Sequence, residues 1–226
     1  MTEPTALSTA DAVRHGFLAL AQAQAALRFG EFTLKSGRQS PYFFNAGAFS
    51  RGGAMAGLGQ AYAATAVALG TPFDVVFGPA YKGIPIATAM VTALAEHHGR
   101  DVGLAYNRKE AKDHGEGGQL VGADLTGQRV LLVDDVITAG TAIREVLPLL
   151  EGAGATLVGV LTALDRQERG AEGEQSAVQH LQADLGVPVR AIVTLDDVLG
   201  WLRARGLVQE EAALEAYRAR YGALPG

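Results

Sequence analysis

Cysteine is absent from this 226-residue chain, and that absence alone removes disulfide frameworks, zinc–thiolate sites, iron–sulfur clusters and thiol nucleophiles. Charge is sparse as well. Asp, Glu, Lys and Arg make up 19% of the residues against 48% hydrophobic, a balance that excludes wholesale disorder. Positive charge is the scarcer sign: 19 Lys and Arg face 24 Asp and Glu. A general nucleic-acid or membrane-surface binder is therefore disfavoured, and only a local basic patch stays open. Proline is rare, 8 residues, and the 29 glycines follow no triplet period, so glycine serves loops and not a collagen-like helix. Residues 1–11 lack both a basic cluster and an apolar run. No secretory signal is expected, and the composition suits the cytoplasm.

Uncharged stretches are few, with one exception to resolve. Residues 52–73 carry no formal charge over 22 positions, the length of a membrane span. Small residues dominate there, and Met55, Leu58, Tyr62, Ala66 and Leu69 recur at helical spacing. A core helix with one buried stripe is expected instead.

An amphipathic helix is expected over residues 10–27, and the Gly-, Ser- and aromatic-rich stretch 29–49 suits short strands and turns. From residue 74 short apolar runs at 75–77, 102–106, 130–133, 157–161 and 189–193 alternate with helical segments, notably 84–97 and 141–150. That alternation predicts βαβ units: an α/β fold with a mostly parallel twisted sheet and helices on both faces. The length fits one such domain with a small extension. Ligands bind beyond the carboxyl ends of strands in such sheets. The residues that follow each run are thus the candidates: GPAYKG at 78–83, then Arg108, Lys109, Lys112 and His114, then Asp134 and Asp135, then Asp165 and Arg166. The tail after residue 195 reads as helical without recognisable chemistry.

The sharpest local signal is VLLVDDVITAGTA at 130–142. A buried strand delivers two carboxylates, and TAGT then opens a helix with the apolar stripe Ile143, Val146, Leu147 and Leu150. Small residues at a helix start expose backbone N–H groups, which with the Thr138 and Thr141 hydroxyls suit a phosphate monoester. A capped helix after a buried strand accounts for TAGT equally well. Adjacent acids tip the balance, because like charges at a strand end need polar ligand groups or a cation, and ribose hydroxyls are suitable donors. No dinucleotide fingerprint, Walker loop, G-x-S-x-G or H-E-x-x-H competes. His97 and His98, near a helix end, read as surface residues.

Four further runs accompany this signal: FGEFTLKSGRQSPYFFNAG at 29–47, GPAYKGIPIA at 78–87, NRKEAKDHGEGG at 107–118 and LDRQERG at 164–170. Together the five resemble the type I phosphoribosyltransferases, and among them the orotate-specific members. The likeness spans residues 29–170 and is thinner in the Ala-rich helix and beyond Gly170. It implies the type I fold over residues 1–226 as one domain, with residues 1–50 as an N-terminal flap or hood over the base site. The implied activity is transfer of a phosphoribosyl group from phosphoribosyl pyrophosphate to orotate, giving orotidine monophosphate and pyrophosphate in pyrimidine biosynthesis. Negative charge grows on the departing pyrophosphate in that reaction, so cations must surround it.

The resemblance assigns Lys35, Tyr81, Lys82, Arg108, Lys109, Lys112 and His114 to phosphoribosyl pyrophosphate. It adds the run Asp134, Asp135, Val136, Ile137, Thr138, Ala139, Gly140, Thr141 and Ala142. Arg108, Lys112, His114, Asp134 and Asp135 form its catalytic set, and Phe43, Phe44, Thr138 and Arg166 its orotate pocket, an arginine facing a carboxylate being sound chemistry. It further implies Mg2+ held mainly through substrate and water, with no dedicated protein ligands, and a homodimer whose 108–118 lid closes over the partner's site. Taken alone, that segment also has the composition of a solvated loop, and Phe43 and Phe44 that of core aromatics. A phosphoribosyltransferase for another base, and a non-catalytic sensor binding RNA or DNA, are the competing readings. Arg166 and the acidic charge disfavour them.

Overall fold

The computed structural model describes residues 8–34, 36–112, 118–137, 140–170 and 173–224, and of residues 111 and 112 the backbone only. Helix α1 (Thr9–Ala23) is capped by Ser8, whose hydroxyl accepts from the Asp11 N–H, and leads into the hairpin β1 (Leu27–Thr33) and β2 (Gln39–Phe44). There follow α2 (Gly52–Leu69), β3 (Val75–Gly78), α3 (Gly83–His98), β4 (Gly103–Lys112), β5 (Gly118–Gly122), β6 (Arg129–Asp134), α4 (Thr141–Gly152) and β7 (Thr156–Asp165). The chain continues with α5 (Ala177–Leu185), β8 (Val189–Thr194), α6 (Leu195–Ala204) and α7 (Val208–Tyr221). Among the described residues the strands form a two-stranded antiparallel sheet and a six-stranded sheet of order β5-β4-β3-β6-β7-β8. All neighbours in the larger sheet are parallel except the edge pair β4 and β5.

Strand β6 shows why this sequence makes a two-faced sheet. Val130, Leu131, Leu132 and Val133 are all fully buried, as a continuous apolar run in a parallel sheet should be. Alternation then divides them. Val130 and Leu132 pack with Ile143, Val146 and Leu150 of α4, whereas Leu131 and Val133 pack with residues of α1, α2, α3 and α6. At the opposite edge of the sheet from its carboxyl ends, Arg129 clamps Asp74 with Nε at 2.8 Å and Nη2 at 2.7 Å. This fork pins β6 against β3 and holds the Asp74 carboxyl well below the usual range.

The uncharged stretch is indeed a core helix. Leu58, Tyr62 and Ala66 of α2 are buried, with Met55 and Leu69 packed beside them, and no helix among the described residues is long and apolar enough to cross a membrane. Two boundaries differ from expectation. Helix α1 stops at Ala23, and residue Ala25 turns the chain with φ 55° into β1. Strand β4 runs on to Lys112, because β5 returns antiparallel to it. The first half of the expected loop is therefore strand, which takes its pairing from a partner that local composition does not reveal.

Gly59 sits where α2 crosses α3, and a Cβ there would lie 2.3 Å from the Ala89 carbonyl oxygen. Gly53, earlier in the same helix, has nothing within 4 Å. Gly53→Ala is expected to leave stability unchanged or raise it by up to about 1 kcal/mol, and Gly59→Ala to lower it by about 1–3 kcal/mol through forced separation of the helices. Urea unfolding of the two variants checks this, and equal effects would refute the close-approach argument.

Candidate active site

Strand order reverses between β3 and β6: the connection through α3 places β4 on one side, and the connection through α4 places β7 on the other. The two loops diverge there and open a crevice at the carboxyl edge. Lys82 comes from the loop after β3 and Asp135 from the loop after β6, and they meet across the crevice with Nζ and Oδ2 2.6 Å apart. Lys82 remains more than half exposed, whereas Asp135 is largely covered. Backbone closeness shapes the loop that carries Lys82. A Cβ on Gly78 would lie 2.2 Å from the Gly83 carbonyl oxygen, so only glycine lets the strand turn straight into α3. The Ala80 N–H donates to Asn107 Oδ1 at 2.9 Å, tying this loop to β4.

Asp134 and Asp135 have different partners. Asp134 turns inward, its Oδ1 accepting from the Asp135 N–H at 2.9 Å. Burial first, and the neighbouring Asp135 charge second, push its pKa up to about 6, against the opposing pull of that N–H and of Lys82. Two bonds hold the backbone at this point. The Tyr62 hydroxyl donates to the Asp134 carbonyl at 2.7 Å, and the Ala163 N–H of β7 donates to the Asp135 carbonyl at 2.8 Å. Ile137 is buried behind the turn and Val136 packs against the core. Gly140, with φ 67°, is the N-cap residue of α4, and Thr141 and Ala142 form its first turn without a side-chain cap. The N–H groups of that turn are the donors that the TAGT reading requires.

On the β4 side, Lys109 Nζ lies 5.1 Å from the centre of the exposed Tyr81 ring. Tyr81, Lys82, Lys109 and Asp135 thus stand at one end of the sheet, with Arg108 on the same strand as Lys109. Lys35, His114, Thr138 and Ala139, and the side chain of Lys112, lie outside the described residues.

Of the residues expected around orotate, Phe43, Phe44 and Arg166 are described. Strand alternation sends Phe43 and Phe44 to opposite faces of β2. Phe44 is buried against Phe17, while Phe43 stacks on Phe32 at 5.5 Å under the Arg28 guanidinium. The face that meets Arg166 is that of Phe44, which also bears Ser40 and Tyr42. Arg166 Nη2 donates to Ser40 Oγ at 3.2 Å, and its guanidinium lies 4.2 Å from the Tyr42 ring centre. Its strongest partner is Glu168, reached by Nε at 2.7 Å and Nη2 at 2.6 Å. Sequence reasoning passed over Tyr62, Ser40, Tyr42, Asn107 and Glu168. Of these, the occurrence of Glu168 inside the LDRQERG run, of Asn107 at the start of the NRKEAKDHGEGG run, and of Ser40 and Tyr42 inside the first run offered a signal.

The raised Asp134 pKa carries a sign that can be checked. The folded protein holds this proton to higher pH than the unfolded chain does, so stability declines as pH rises from about 4 to about 6 and stays lower above that. Asp134→Asn keeps the Oδ1 acceptor and sheds the charge. It is expected to stabilise the protein at pH 8 by up to about 2 kcal/mol, with the gain vanishing toward pH 4. Urea melts across that range test it, and a gain independent of pH would assign the effect to packing.

A model of the phosphoribosyl transferase domain matches residues 51–198. An orotate phosphoribosyltransferase of Pseudomonas fluorescens is 60% identical over 213 residues, covering 93% of this chain and 99% of the relative. Its counterpart in Cronobacter sakazakii is 59% identical over 207 residues, covering 91% and 96%. The crystal structure of the orotate phosphoribosyltransferase of Francisella tularensis superposes with a TM-score of 0.84 at 40% identity, covering 92% of this chain and 99% of that one. This kinship over nearly the whole length, in a chain with the strand-order reversal, the paired acids and the glycine-started helix described above, places it in the orotate phosphoribosyltransferase family, within the type I phosphoribosyltransferases.

Proposed function

We propose that the protein transfers the phosphoribosyl group of phosphoribosyl pyrophosphate to a ring nitrogen of orotate, yielding orotidine monophosphate and pyrophosphate. The observation that carries the reading is the meeting of Lys82 and Asp135 at 2.6 Å across the strand reversal, in a chain of this family. The bond from the anomeric carbon to the pyrophosphate oxygen breaks as the carbon–nitrogen bond forms, so positive charge builds on the ribose and negative charge on the leaving group. Lys82, Arg108 and Lys109, with Lys35 and Lys112, supply the cations that stabilise that departing charge, and His114 supplies a further donor. Asp135 accepts from the ribose hydroxyls at the crevice, and Asp134 stands behind it, bonded to the Asp135 N–H. The 5′-phosphate rests on the first turn of α4, among the backbone N–H groups of 138–142. Residues 1–50 form the hood over the base, and Arg166 faces the orotate carboxylate.

The donor set fits magnesium in a particular way. Asp134 and Asp135 are hard oxygen donors, but no cluster of three or more candidate metal-ligating side chains occurs among the described residues. An ion that keeps most of its shell from substrate oxygens and water suits such a place. When bound it adds positive charge beside the pyrophosphate. The family likeness also supports a homodimer with the 108–118 lid lent across the interface, and two-fold dimers are the commonest oligomers.

With magnesium, purified protein is expected to release pyrophosphate when given orotate, and not when given adenine or hypoxanthine. Equal turnover with a purine ends the assignment. Arg166→Ala should raise the KM for orotate about tenfold or more, the usual cost of a lost charged hydrogen bond, with little change in the KM for phosphoribosyl pyrophosphate.

Sharing of the lid has its own test: mixing inactive Lys112→Ala and Asp135→Ala proteins under subunit exchange. Activity should return toward about one quarter of wild type, because half of the dimers are mixed and each then holds one intact site of two. No recovery despite demonstrated exchange would place the lid in its own subunit's site.

A further inference from the structure

We propose that Glu168 is a positioning residue for base recognition: it holds the Arg166 guanidinium in the orientation that meets the orotate carboxylate. The inference rests on the assignment of Arg166 to that carboxylate. Three observations support it. First, Glu168 is fixed from both sides. One carboxylate oxygen takes Nε and Nη2 of Arg166, and the other lies 3.3 Å from Arg38 Nη1. Glu168 and Arg166 are each only 13% exposed, so these contacts are little screened by water and the geometry is held.

Second, the backbone is built to bring the pair together. Gln167, between them, has φ 49°, and its N–H donates to Asp165 Oδ1 at 2.8 Å. A left-handed residue at that point turns the chain so that residues two apart reach each other. Third, the C-terminal segment locks this turn in place. Glu168 forms an antiparallel bridge with Gly222, the Arg169 N–H donates to the Tyr221 carbonyl at 2.9 Å, and the Ala223 N–H donates to the Gln167 carbonyl at 2.8 Å. Arg38 in turn lies over the Tyr221 ring at 4.9 Å.

An anchored carboxylate of this kind does not leave when a ligand arrives. One acid between two guanidinium groups also leaves the cluster net positive, which keeps it attractive to the carboxylate of a substrate. Ser40 and Tyr42 complete the cradle from the hood side.

The test measures both Michaelis constants, together with discrimination between orotate and uracil, the same ring without the carboxylate. E168Q is expected to raise the orotate KM about tenfold, to leave that for phosphoribosyl pyrophosphate within about twofold, and to narrow the orotate-to-uracil preference by a like factor. In an R166K background, E168Q should add nothing. A merely structural role would lower the melting temperature and leave the KM split and the preference unmoved. A fall in orotate KM would show that Glu168 competes with the substrate. Either result overturns the proposal. If R166K alone leaves orotate binding unchanged, the pocket assignment fails first and takes this inference with it. Should E168Q not fold, R38Q loosens the same carboxylate from its other side, and a smaller rise in the orotate constant alone is the expected result.

Discussion

Everything at the carboxyl edge of the sheet answers to one electrostatic difficulty: two adjacent carboxylates end a strand whose four preceding residues are fully buried. Left alone, both acids would meet low dielectric and each other's charge. The fold separates them. Asp134 turns inward, where burial raises its pKa, and Asp135 turns to the crevice and pairs with Lys82. The backbone between them is bonded on two sides, by Tyr62 from α2 and by the Ala163 N–H from β7. Holding a repelling pair in a fixed geometry costs stability, and a ligand that brings hydroxyl donors or positive charge relieves that cost on binding.

The position of the pair follows from topology rather than from local sequence. Parallel strands joined in opposite directions part at β3 and β6, and the loops that leave them cannot pack against each other there. Lys82 spans the gap because the close approach of Gly78 and Gly83 folds the short 79–82 loop tightly between β3 and α3. The hairpin of β4 and β5 then carries Arg108 and Lys109 to the same edge, and the Asn107 side chain ties it to the 79–82 loop. A chain of net charge −5 thus concentrates cations at one end, and the leaving group of a phosphoribosyl donor needs charge of that sign in one place.

Much of this was legible because it depends on short-range pattern. The apolar run 130–133, the paired acids and TAGT predict strand, turn and helix from neighbouring residues, and β6, the crevice and α4 follow in that order. The stripe Met55, Leu58, Tyr62, Ala66 and Leu69 was legible as a buried face for the same reason. What stayed hidden depends on partners distant in sequence. Tyr62 looks like one more apolar residue until its hydroxyl is found 72 positions away on the Asp134 carbonyl. Phe43 and Phe44 read as a pair, yet a strand sends neighbours to opposite faces: Phe44 shares its face with Ser40 and Tyr42, which reach Arg166, and Phe43 faces away from it. The continuation of β4 to Lys112 depends on β5, whose pairing no local signal encodes.

The C-terminal tail shows the same limit in its strongest form. Read alone, α7 offers an acidic first turn, basic residues in its last turn and no motif. Its influence is exerted through main-chain pairing with the turn at 167–169 and through two tyrosine rings. Tyr217 meets Tyr42 edge-on at 6.1 Å, and Tyr221 lies beneath Arg38. Backbone hydrogen bonds carry no residue signature, and tyrosines on a helix are ordinary. A segment can therefore brace Arg166 and its partner Glu168 without displaying any chemistry of its own. Strand β2 holds Arg166 through Ser40 and Tyr42, and the tail holds Glu168 through Gly222. The two ends of the chain, distant in sequence and separate from the parallel sheet, thereby converge on one guanidinium that stands where β7 ends.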